Sequence, residues 1–139
     1  MNRYEENAYE WLKRKGLADK YEHAGIYSIS IDNQLVYIGK SHNMLKRIAQ
    51  HYVGIKTQSE KKYRIMAEAE RKGHSITFGV LYSAKSQSYS SITEEIGAKE
   101  GEYIRKYEPI LNSQHPLTDD WRTWDVNKVN AREVLNNIL

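Results

Sequence analysis

The 139-residue sequence predicts an α+β fold, a small three-stranded antiparallel sheet flanked by helices. Three observations carry this expectation. Apolar residues recur at helical spacing in some segments and alternate in others. Two alternating segments are joined by Asp32-Asn33-Gln34, which is hairpin turn chemistry. The length suits one domain with a sizeable core. Residues 1–139 therefore read as a single domain, with its core over about 24–112, an N-terminal helix at 3–15 and a C-terminal extension at 113–139.

The elements follow in order. Residues 3–15 place Tyr4, Ala8, Trp11 and Leu12 at helical spacing, and Gly16 suits the helix end. Gly25 to Ile31 and Leu35 to Gly39 read as strands. Asn43 to Tyr52 reads as a helix with Leu45, Ile48, Ala49 and Tyr52 inward. Ser59 is the expected cap of a helix through Arg71, ended by Gly73. Ser75 to Tyr82 alternates as a third strand, and KSQSYSS (85–91) reads as a polar loop. Ser91 and Glu94 form a capping-box pattern for a helix through about Tyr107. Glu108-Pro109 ends it, because the residue before proline avoids helical angles. A last short helix is expected over 127–138.

Composition narrows the class. With 40% apolar and 28% charged residues, a soluble globular protein is expected. No apolar run is long enough to span a bilayer. The opening MNRYEENAYEWLKRKG lacks the apolar core of a secretory leader. There are no cysteines, which excludes disulfides, thiolate zinc sites and a cysteine nucleophile. A cytoplasmic location fits. The net charge is +3, yet residues 40–72 hold nine Lys or Arg against three Glu, a local balance of +6 that leaves −3 for the rest. Such a stretch is the footprint of phosphate binding, to be weighed against an ordinary solvated helix face.

The hairpin register raises a sharper question. Directly opposed residues on antiparallel strands share a face. A three-residue turn opposes Ile31 to Leu35, Ile29 to Tyr37 and Tyr27 to Gly39, which puts both phenols on one face. A two-residue turn would put them on opposite faces. In the three-residue register, Gly39 opposite Tyr27 would leave open space over that phenol. On the next helix, Arg47 and His51 are four apart and share a face offset from the Leu45, Ile48 and Ala49 stripe. By themselves they read as a surface pair. In SITEEIGAKEGEYIRKYEP, Glu100 lies among Ile96, Tyr103 and Ile104 on the apolar side, whereas Glu102 turns to solvent. A carboxylate aimed into packing is costly unless a cation or a positive cluster meets it.

Together, GIY (25–27), YIG (37–39) with Lys40 and Ser41, Arg47, His51 and the string EGEYIRKYEPILN (100–112) resemble the GIY-YIG nuclease superfamily. The incision domain of bacterial nucleotide-excision repair carries a similar E-x-x-Y-I-x-x-Y-x-P-x-x-N string. The resemblance covers about residues 24–112. It implies a three-stranded antiparallel sheet with helices around it, and metal-dependent hydrolysis of a DNA phosphodiester. By matched position it implies Tyr27 and Tyr37 as the motif tyrosines, Arg47 as the motif arginine and Glu100 as the metal-binding glutamate. Lys40 and His51 fall at supporting catalytic positions, and Asn112 at a closing asparagine that hydrogen-bonds backbone. The implied cofactor is Mg²⁺, with Mn²⁺ as a substitute.

The chemistry suits these residues. Arginine can fork two hydrogen bonds onto phosphate oxygens. One carboxylate can hold a Mg²⁺ that keeps most of its waters. A phenol at its ordinary pKa near 10 costs about 4 kcal/mol to ionise at pH 7, a cost that nearby cations such as Lys40 and Arg47 reduce. Tyr27 is the preferred acceptor of the water's proton, with Tyr37 positioning water or phosphate. His51 would orient a hydroxyl, act as the base, or only pack. The expected partner is double-stranded DNA, followed along its backbone by Lys40, Lys46, Arg47, Lys56, Lys61, Lys62 and Arg64. The tail from Ser113 has a balance of −1 and is no basic arm. One site cuts one strand, so a homodimer is a candidate assembly. A DNA-binding module that keeps the fold without cleaving is the alternative, and an interaction domain with accidental motifs is the third.

Overall fold

The computed structural model describes residues 1–112; the helix expected over 127–138 and the extension from 113 lie outside them. The described elements run α1 (Arg3–Arg14), α2 (Ala18–Tyr21), β1 (Gly25–Ile31), β2 (Gln34–Ser41), α3 (Met44–Thr57), α4 (Lys61–Arg71), β3 (Ile76–Ser83), α5 (Tyr89–Tyr107) and a 3₁₀ turn (Ile110–Asn112). The strands form one antiparallel sheet in the order β2-β1-β3. The expected α+β class is the observed one.

The central strand β1 is covered on both faces. Tyr27, Ile29 and Ile31 point toward α1, α3 and α4, where they join Leu12, Leu45, Ile48, Met66 and Ala69. Ile26 points the other way and meets Ile38 of β2 and Ile96 of α5. Burial on both faces explains why GIYSISI is apolar almost throughout. Each isoleucine taken fully out of water contributes about 1.5–3 kcal/mol. On α1, Ala8 and Leu12 are buried, while Tyr4 and Trp11 lie toward the surface.

The hairpin differs from expectation in an informative way. Ile31 pairs with Gln34, so the turn has two residues, Asp32 and Asn33, both at positive φ. Such residues suit the mirror-image hairpin turns. On its own this turn would put the phenols on opposite faces. A register shift between Ile29 and Ser30 leaves Val36 as an extra, unpaired residue in β2. The bulge restores Ile29 opposite Tyr37 and Tyr27 opposite Gly39, and the two phenols share a face after all.

Helix starts also shift. Asn43 caps α3 through a side-chain bond from the Lys46 amide, and the helix runs on to Thr57. The cap position of α4 is Glu60 rather than Ser59, without a side-chain cap bond. The cap of α5 is Ser88 rather than Ser91, so KSQSYSS is helical from Tyr89. The reason lies one residue past the expected partner. Glu95, not Glu94, reaches back to accept from the Lys85 and Ser86 amides and the Tyr82 hydroxyl, which tethers the loop close to the helix start. Glu108, in a left-handed conformation, ends α5.

Candidate active site

Five polar side chains meet on the α3 face of the β1–β2 pair. Tyr27 and Tyr37 bring ring centroids within 6.4 Å of each other. His51, on α3, lies 5.4 Å from both rings. Its Nε2 is 2.5 Å from the Tyr27 hydroxyl, and its Nδ1 is 2.7 Å from the hydroxyl of Tyr63 on α4. Arg47, one helical turn before His51, sits beside the Tyr27 phenol, whose ionised form its charge favours, and donates to Gln50 Oε1 at 2.6 Å.

His51 and Arg47 are therefore not a surface pair. His51 has no solvent exposure and Arg47 is half-buried, because α4 packs over the face that seemed free. Nor is there open space over Tyr27. A Cβ at Gly39 would lie 2.2 Å from its hydroxyl oxygen, so the phenol fills the room that glycine leaves.

Burial sets the protonation states. It pushes the Tyr27 phenol well above its ordinary range, helped by Tyr37 and opposed by Arg47. It pulls His51 down to about 3, with Arg47 and Lys62 acting in the same direction. At neutral pH the pair rests as a protonated phenol and a neutral imidazole. The expected easing of Tyr27 ionisation by cations is outweighed by its lack of solvent. Tyr37 differs in being only partly buried, with the Lys62 ammonium 5.3 Å from its ring centroid.

Lys40 and Glu100 form a second group. Lys40 follows Gly39 on β2, so its side chain points to the opposite sheet face, the one α5 covers. There its Nζ lies 3.9 Å from Glu100 Oε1. Burial raises the Glu100 carboxyl above its ordinary range and Lys40 opposes the shift. The candidate residues thus sit on the two faces of one edge strand. Asn112 holds that strand from its free side, with Nδ2 donating to Ile38 O and Oδ1 accepting from Ile38 N, each at 2.7 Å.

The expected DNA contacts divide similarly. Lys62 reaches the phenols and also pairs with Glu60. Lys46 and Lys56 lie over Tyr9 and Tyr52, on the α1 side of α3. Lys61 is half-buried and Arg64 exposed on α4. Tyr63 was absent from the expected site. Its one sequence signal is Gly54, inside α3 three residues after His51, where a Cβ would come 2.3 Å from the Tyr63 ring.

A bulged hairpin that aligns two tyrosines, with arginine and histidine from the next helix, defines a GIY-YIG-type catalytic domain. The comparisons agree. The family model for the GIY-YIG catalytic domain matches residues 23–114, and the chain belongs to that family. Among curated proteins it is similar to Endonuclease II of Enterobacteria phage T4, with 30% identity over 116 residues, 75% of this chain and 81% of the relative. No solved structure matches the chain.

Proposed function

We propose that the protein is a metal-dependent endonuclease that hydrolyses phosphodiester bonds in double-stranded DNA. The observation that carries this reading is Tyr37, a partly exposed tyrosine flanked by Arg47 and Lys62. Its similarity to a protein named an endonuclease supports it. In this reading Arg47 forks onto the phosphate oxygens, and Lys62 adds positive charge where negative charge develops. Tyr37 takes the attacking water's proton. Tyr27 was the sequence's first choice for that role, but a phenol without accessible surface cannot meet the water. Tyr27 instead sits beside Arg47, and His51 holds Tyr27.

The residues around Glu100 fit a hard divalent cation. Among the described residues no three His, Cys, Asp or Glu side chains converge as a metal cage. Glu100 is a single, partly exposed carboxylate drawn into a desolvated position. That donor set suits Mg²⁺, which keeps several waters and takes one or two carboxylates plus substrate phosphate. Bound there, Mg²⁺ would polarise the phosphate and aid the leaving oxygen. Lys40, which faces Glu100, would share the carboxylate or turn to the DNA.

The deciding experiment is nicking of supercoiled plasmid with and without Mg²⁺, wild type beside Glu100→Ala, with the ends sequenced. Nicking that needs both the metal and Glu100 is expected. Cleavage indifferent to chelator and to Glu100→Ala would overturn the reading. Binding without nicking would leave the DNA-binding module as the function.

A further inference from the structure

We propose that Tyr63 is a positioning residue: its hydroxyl oxygen accepts the Nδ1–H of His51 and so fixes the imidazole with a bare Nε2 facing the Tyr27 hydroxyl. This rests on the hydrolytic site just proposed.

The protons follow from donor and acceptor chemistry. A guanidinium only donates. The guanidinium beside Tyr27 has nothing to accept with, so the Tyr27 proton needs another acceptor. His51 Nε2, 2.5 Å away, is that acceptor and carries no hydrogen. The groups facing His51 are Tyr27 from β1, Tyr37 from β2, Arg47 on its own helix, and Lys62 and Tyr63 from α4. Two of them are cations, and the ring is wholly buried, so it stays neutral. Its single proton sits on Nδ1, 2.7 Å from the Tyr63 oxygen.

Tyr63 is built into this place. Its ring rests on Gly54, one turn beyond His51, closer than any side chain there would allow. The Lys62 ammonium lies 4.8 Å from the ring centroid. Burial pushes the Tyr63 phenol up to about 12, so it stays neutral, and its oxygen has the lone pairs to accept. Without that oxygen, Nδ1–H would be a buried donor with no acceptor, and the proton would move to Nε2. Tyr27 would then face two donors, Nε2–H and Arg47, with no acceptor for its own hydrogen. This is the third-member role of a catalytic triad, filled by a neutral phenol.

The test reads the two His51 nitrogens by ¹⁵N NMR in the wild-type protein without substrate. Nδ1 should carry the proton and Nε2 should be bare. In Tyr63→Phe the signals should shift toward the Nε2–H form. kcat for plasmid nicking should fall about ten- to hundredfold, the range for losing an orienting partner, while KM changes far less. Gly54→Ala keeps the hydroxyl but displaces the ring, and should move the same signals. A wild-type spectrum with the proton on Nε2 would overturn the proposal, whether or not either variant folds. So would a folded Tyr63→Phe that retains the Nδ1–H form and full kcat. The spectrum is read without cleavage, so a wild type that fails to nick DNA counts against the hydrolytic reading alone.

Discussion

His51 should make the fold acid-labile well above the range where carboxylates titrate. Its folded value near 3 lies below its ordinary 6.5, so between those limits the unfolded chain binds more protons than the native one. Stability is then fully present above pH 6.5 and falls as pH drops toward 3. Between pH 7 and pH 5 the group alone removes about 2 kcal/mol, out of a typical total of 5–15 kcal/mol. Asp32, Glu68 and Glu95 are also held below their usual range by hydrogen bonds, but their share is lost at lower pH. Glu100, raised by burial, acts with the opposite sign and is relieved by acid. Urea unfolding at pH 7 and pH 5 measures the difference, expected as a midpoint shift of roughly 1 M. In His51→Gln most of that shift should disappear, because the other histidines remain. Equal shifts in the two proteins would refute the reasoning. So would His51 ring signals that titrate above pH 5 in the folded wild type.

Three further outcomes follow from the same geometry. Gly39→Ala drives a methyl to within 2.2 Å of the Tyr27 oxygen and should cost about 1–3 kcal/mol, visible as a melting temperature lower by several degrees and as lost nicking. Asn112→Ala strips both 2.7 Å bonds from Ile38 and should destabilise by about 1–3 kcal/mol in urea, with faster hydrogen exchange at the Ile38 amide. Glu100→Gln should abolish Mg²⁺-dependent nicking and leave stability at pH 7 unchanged or slightly higher; parallel losses of both would tie Glu100 to the fold instead.

Much of the fold was legible because apolar periodicity and turn chemistry are local. β1 reads directly, since a strand buried on both faces has little freedom in composition. The shared face of the two phenols was legible too, though by a route the chain does not take. An apolar extra residue such as Val36 leaves no mark in the pattern, so a two-residue turn with a bulge looks like a three-residue turn. Glu100 stood out because a carboxylate among isoleucines conflicts with its helix face. Tyr63 did not, because Tyr63, Met66 and Ala69 form an ordinary core stripe. Only packing between α3 and α4 turns that core tyrosine into a hydrogen-bond partner of His51. The burial of His51 was hidden for the same reason, as the covering element lies further along the chain.

The placement of these groups around β2 has a physical logic. A central strand offers its faces only to what packs on them, and β1 is covered on both. An edge strand leaves one side open, so a polymeric substrate can pass along it and meet residues from either face. β2 uses successive positions this way: Tyr37 toward α3, Ile38 into the α5 core, Gly39 beneath Tyr27, and Lys40 toward Glu100. An open edge also invites pairing with another chain. Asn112 counters this by bonding both polar backbone groups of Ile38, as a neighbouring strand would. The residue that closes the motif thus blunts the edge at Ile38. Removing it should loosen the spacing between the Tyr37 and Lys40 groups, so Asn112→Ala should lower kcat more than its stability loss alone explains.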